Sequence, residues 1–222
     1  MFENILSLRE DILEALLQTG FMVAVSLITA VVIGGLFGIL LYTTTSSHFY
    51  KNEIVRKITG LVLNIIRSVP FLILMILFLP LSKIIVGTKI GPEAVVVPLS
   101  IASIAFFARL AEASLSDVNN GIIEAAFSSG ASKSRIIFSI LIPEALPSII
   151  RNITVTAISV LGFSAMAGLV GGGGLGDLAY RYGYQRYQTD IMLVCVIMLV
   201  VIVQLIQWIG DAVALKFDKK YQ

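Results

Sequence analysis

Few side chains in this 222-residue chain are equipped to make or break bonds. The single histidine, His48, excludes a His-rich metal site, and the single cysteine, Cys195, rules out an intrachain disulfide. Gly162-Phe163-Ser164-Ala165 approaches a Gly-x-Ser-Gly nucleophile turn, but the last glycine is missing. His48 lies in a polar loop, so Ser164 has no base to activate it. Gly171, Gly173 and Gly176 spell G-x-G-x-x-G, with Asp190 downstream. A dinucleotide site needs a strand before those glycines, and here a membrane-length apolar stretch precedes them. No G-x-x-x-x-G-K-[ST] occurs, so the chain lacks a P-loop of its own. What remains is charge in apolar surroundings: Arg67, Arg109 and Glu112. Arg109 and Glu112 stand three apart on one helical face and can pair, which reads as a structural clamp ahead of the alternative, a substrate ligand. Arg67 reaches the headgroups, or pairs with an inner carboxylate, or is functional, because an arginine at that depth is costly.

The elements that hold these residues are membrane spans. Hydrophobic residues make up 57% of the chain and charged ones 14%, with a mean hydropathy of +0.95; soluble domains carry about 25% charged residues. A net charge of +2 is too small to suggest nucleic acid. Five stretches reach the roughly 20 apolar residues a span needs: about 20–42, 58–81, 94–115, 148–170 and 190–215. The acidic start is not a signal peptide and reads as an amphipathic lead-in helix with Leu6, Leu13 and Leu17 to one side. Segments 43–57 read as an ordinary polar loop.

Orientation follows the placement of Lys and Arg. With the N-terminus outside, the inner side holds ten: Lys51, Arg56, Lys57, Arg109, Lys133, Arg135, Arg151, Lys216, Lys219 and Lys220. The outer side holds five, Arg9, Lys83, Lys89, Arg181 and Arg186. The expected fold is therefore an all-α membrane protein, N-out and C-in, one domain over 1–222. Gly34 and Gly38 give the first span a close-approach face, within the chain or across a dimer. Tyr180, Tyr182, Tyr184 and Tyr187 read as an interfacial belt or a docking surface, and Trp208 as its inner counterpart.

The inner side also carries 124–147, EAAFSSGASKSRIIFSILIPEALP, too polar to span and too apolar to be loose. It reads as two short surface helices broken at Gly130, the second capped by Ser132 and ended by Pro143 and Pro147. Glu124-Ala125-Ala126, then Gly130 six residues after the Glu, then Ile140 and Pro143, resembles the EAA loop of bacterial ABC importer permeases. It departs at Ile142, where that family usually has Leu. The resemblance implies that this loop docks into a cleft on an ATPase subunit through Glu124, Ala125, Ala126, Gly130, Ala131, Ile140 and Pro143. Glu124 would cap the first helix or touch the ATPase, the two alanines would allow close approach, and Gly130 would permit the turn.

Two further strings are similar to the methionine branch of those permeases: Arg67-Ser68-Val69-Pro70, and Ser164-Ala165-Met166-Ala167-Gly168 before a glycine-rich run. They imply that Ser164, Met166 and Gly168 line the translocation path or its gate; tight helix packing is the other reading. The family further implies a homodimer with the path on its two-fold axis. It implies two partner ATPases holding the ATP and Mg, an extracytoplasmic methionine-binding protein, and residence in the bacterial inner membrane. No cofactor or enzymatic step belongs to the chain itself. Another amino-acid or peptide cargo is the alternative. A secondary transporter or a membrane scaffold fits less well, since no Asp or Glu lies near mid-span and no repeat is evident.

Overall fold

A computed structural model describes residues 8–218. Leu6, Lys219 and Lys220 lie outside the described residues. All regular structure among the described residues is helical. Four helices are long and apolar enough to cross a membrane, or five if one bent pair counts as a span. They are α1 (Arg9–Thr45), α4 (Pro92–Ser116), α6 (Lys133–Val170) and α8 (Thr189–Phe217), with α2 (Glu53–Ser68) and α3 (Phe71–Val86) as the bent pair. A short α5 (Asn120–Ser128) precedes α6, and α7 (Gly174–Leu178) with a π-helical turn (Ala179–Gln185) links α6 to α8.

The central helix is α4, which touches α1, α2, α3 and α6. Small residues let its neighbours close in: Ala94, Ala105, Ala108 and Ala111 are all buried on it. Gly34 and Gly38 of α1 face this helix. A Cβ at Gly34 would come within 2.8 Å of the Ile104 carbonyl, and one at Gly38 within 2.6 Å of the Ala111 Cβ. The close-approach face of the first span is thus used inside the chain. Polar side chains add ties between α4 and α6. Asn152 Nδ2 donates to Ser114 Oγ at 2.8 Å, and Ser148 Oγ lies 3.0 Å from the same hydroxyl.

Three expectations about the spans are corrected. The lead-in segment and the first span form one helix, α1, because no glycine or proline cap separates them; a π turn at Ala30–Gly34 is its only irregularity. The second span is not straight. Its halves meet at 109° across Val69 and Pro70, both extended. Pro70 lacks an amide hydrogen and forces the preceding residue out of the helical region. The helix that carries the fourth span begins at Lys133, well before 148, since Pro143 and Pro147 do not end a helix. They sit in the first turns of the straight α segment Ile142–Ala167, just after a π turn at Ile137–Leu141. That wider turn eases the clash the Pro143 ring would make with the Ser139 carbonyl four residues back.

Arg109 fastens α2 onto α4. Its Nη1 donates to Glu112 Oε2 at 2.7 Å, and its Nη2 donates to the Gly60 carbonyl at 3.1 Å and to Asn64 Oδ1 at 3.0 Å. Arg109 Nε is buried with no hydrogen-bond partner among the described residues. The ion pair is 24% and 21% exposed, so it sits between the surface and interior limits. Arg109→Met is expected to cost on the order of 2 kcal/mol, read as a lower melting midpoint in detergent. The double variant Arg109→Met with Glu112→Leu is expected to recover most of that loss, because no orphaned carboxylate remains.

Candidate functional site

The stretch 120–147 forms an elbow. Asn119 caps α5 by accepting from the Gly121 amide at 2.8 Å. Glu124, five residues into the helix, is therefore not its cap. At the other end Gly130 adopts φ +79, its amide donating to the Phe127 carbonyl at 2.9 Å. The Ala131 amide donates to the Ala126 carbonyl at 3.2 Å. This pair of bonds is a Schellman closure, which needs a left-handed residue where glycine alone carries no Cβ penalty. Ser132 Oγ then accepts from the Arg135 amide and starts α6. The second half of the elbow is not a separate short helix: it is the first turn of α6, continuous to Val170.

The elbow rests on a cradle that sequence reasoning missed. Phe49, in the loop between α1 and α2, is 4% exposed and packs with Tyr42, Ile123, Ala126, Ile136 and Leu141. Its ring meets Phe127 edge-on at 5.4 Å and Tyr42 at 5.8 Å. Lys133 Nζ donates to the Phe49 carbonyl at 2.7 Å and lies 4.5 Å from the centre of the Tyr50 ring. His48 stacks on Phe127 at 5.8 Å, with its Nε2 3.9 Å from Glu124 Oε1. The loop at 46–52 is thus a fixed support rather than an ordinary connection. Only its aromatic residues, set among polar ones, hinted at burial. Phe49→Ala is expected to cost about 3 kcal/mol and to speed hydrogen exchange in α5 while the spans stay protected.

The seven elbow residues divide by exposure. Glu124 (61% exposed side chain), Ala125, Gly130 and Pro143 face outward, while Ala131 and Ile140 are half-buried. Ala126 is buried at 8%, so it belongs to the cradle contact and not to an outer face. Pro143 joins Asn119, Glu144, Ser148, Arg151 and Asp218 around a cleft of about 430 Å³ beside the elbow. Arg151 Nη2 donates to Asp218 Oδ2 there at 2.9 Å, tying the end of α8 to α6.

Of the three path residues, two turn inward. Ser164 is 1% exposed, its hydroxyl donating to the Leu161 carbonyl at 2.8 Å. Gly168 is buried where a Cβ would strike the backbone of Gly176 and Asp177. Gly168 serves the packing of α7 onto α6, and Ser164 is tied back to its own helix. Met166 is 48% exposed, in a stripe with Val155, Gly162 and Leu169 that has no neighbour within the chain. Among the described residues no group of His, Cys, Asp and Glu is placed to hold a metal ion.

An apolar helical bundle with four or five helices long enough to cross a bilayer defines the chain as a multi-pass membrane component. Residues 30–219 match the family described as binding-protein-dependent transport system inner membrane component. The chain is 47% identical over 209 residues to the probable D-methionine transport system permease protein MetI of Vibrio cholerae, covering 94% of this chain and 93% of that protein. It is also 47% identical over 181 residues to the methionine import system permease protein MetP of Bacillus subtilis, 82% of each. Among solved structures it is similar to a chain of the MetNI methionine ABC transporter in an inward-facing conformation. That match has a TM-score of 0.93 at 37% identity and covers 96% of this chain and 99% of the other. The chain belongs to the binding-protein-dependent transport permease family, as a multi-pass component of the inner membrane.

Proposed function

We propose that this chain is the membrane-spanning permease subunit of an ATP-driven importer whose cargo is methionine, D or L, or a close derivative. The observation that carries the reading is the elbow. Its outer face is closed by a Schellman turn, braced by Phe49 and Lys133, and joined to α6 without a break. The likeness to the methionine permeases of V. cholerae and B. subtilis and to the MetNI methionine transporter supports the cargo.

In this reading the chain is one transmembrane domain, N-out and C-in, and two copies enclose the path on a two-fold axis. One ATPase subunit, which binds the ATP and Mg, docks on each elbow. Glu124 meets the ATPase, exposed Ala125 lets it approach, and Gly130 and Pro143 set the angles of entry and exit. Closure of the ATPases draws the two elbows together, and α6 carries that motion into the bilayer. An extracytoplasmic methionine-binding protein delivers cargo to the opposite face. Met166 lines the path, its polarizable thioether suited to an apolar or sulfur-containing side chain.

Co-purification in detergent tests the assembly: the chain is expected to bring down a P-loop ATPase, and recovery of the permease alone would oppose the reading. Uptake of radiolabelled methionine, competed by a panel of amino acids, tests the cargo. Failure of unlabelled methionine to compete would end that assignment.

A further inference from the structure

We propose that Arg67 is a carboxylate-binding residue on the translocation path, holding the carboxylate of an amino-acid cargo at the break between α2 and α3. The proposal rests on the permease reading above and adds a residue and a chemistry to it.

Arg67 and Arg109 both lie in or beside apolar stretches, and they are treated differently. Arg109 is neutralised by Glu112 and by two oxygens of α2. Arg67 is exposed, and among the described residues no hydrogen bond or carboxylate within 4.0 Å engages it. A guanidinium within a span persists only where it faces a wet cavity or a partner group.

The backbone around it makes the same demand. Ser68 and Pro70 are exposed, and Val69 and Pro70 are extended, so helical hydrogen bonding is interrupted inside the second span. Non-helical backbone at membrane depth is tolerated only when buried in protein or lining water. These residues are not buried within the chain, and in the proposal they line water on the path between the two copies. The polar stripe of α2 points to the same cavity. Glu53, Lys57, Asn64 and Arg67 share one helical face and end at the break, while Ile54, Ile58, Leu61 and Ile65 form an exposed apolar stripe beside it. Lipid cannot cover both.

Across the break the wall changes character. Phe71, the first residue of α3, stacks on Phe163 of α6 at 4.8 Å. Phe163 lies between exposed Gly162 and Met166 along α6. The break therefore places Arg67 four residues before an aromatic pair that leads along α6 to the exposed thioether of Met166. A guanidinium binds a carboxylate through two parallel N–H donors, and the apolar wall suits an uncharged side chain. An amino acid with an apolar side chain offers both features.

The test uses the complete transporter with its ATPase and binding protein in proteoliposomes, reading labelled methionine taken up per ATP hydrolysed. Arg67→Gln is expected to lower that ratio at least tenfold, and Arg67→Lys to restore part of it. An unchanged ratio in Arg67→Gln would overturn the proposal. So would an Arg67→Gln protein that no longer inserts or assembles while Arg67→Lys does, since the charge would then be neutralising a carboxylate of a partner subunit. Loss of ATP-driven methionine uptake in the unmodified transporter would sink the permease reading instead, which separates the two failures.

Discussion

A chain carrying Glu124→Lys is expected to insert normally and to support no measurable ATP-driven uptake. The side chain is 61% exposed, and among the described residues only His48, at 3.9 Å, lies within ion-pair distance. Folding has little stake in it: surface ion pairs contribute about 0–1 kcal/mol. A lysine instead reverses the charge on the face proposed to receive the ATPase, and a like-charge clash across an interface costs several kcal/mol. Gly130→Val should give the same phenotype by another route. The new Cβ has open space, with nothing within 4 Å, so the penalty is purely backbone at φ +79. That penalty is about 1–2 kcal/mol, enough to undo the turn that aims α5. Uptake and ATPase co-purification, measured on membranes with wild-type protein levels, check both variants. Wild-type transport from either would contradict the docking role.

Gly38→Leu is expected to act on the fold itself and to remove the protein from the membrane fraction. The Cβ alone would lie 2.6 Å from the Ala111 Cβ, 2.9 Å from the Ala108 carbonyl and 3.1 Å from the Glu112 amide. Two of those atoms belong to the α4 backbone, which cannot rotate away. Overpacking of this kind costs about 1–3 kcal/mol for a tolerant site, and here α1 must move bodily outward. Gly20→Leu in the same helix is the control, since nothing lies within 4 Å of its Cβ. Detergent extraction followed by size-exclusion chromatography distinguishes them: aggregate for Gly38→Leu, a monodisperse peak for Gly20→Leu.

Why some elements could be read from residues alone, and others not, is clearest at the prolines. The ends of α4 and α8 fall within two residues of the apolar stretches 94–115 and 190–215, because hydropathy is a local property. Gly130 and Ser132 likewise announce a turn and a cap through their own chemistry. Pro70 breaks a span, yet Pro143 and Pro147 do not, and nothing local separates the cases. The difference is a π turn ahead of Pro143 and a helix packed on both sides, and both depend on partners far along the chain. The cradle is invisible for the same reason: Phe49 and Lys133 lie 84 positions apart. Burial of Gly168 depends on α7, whose docking uses the side chains of Gln18 and Thr19 in α1.

The unbroken course of α6 from Lys133 to Val170 has an evolutionary corollary. Each residue advances a helix by about 100°. One codon gained or lost between Ile142 and Ala167 would therefore swing α5 through more than a quarter-circle relative to the Gly168 contact with α7. A change of one residue in the length of α6 is expected to be far more disruptive than a change of an exposed side chain along it. The π turn at Ile137–Leu141, which stores one surplus residue, marks where a past insertion of that kind could have been absorbed.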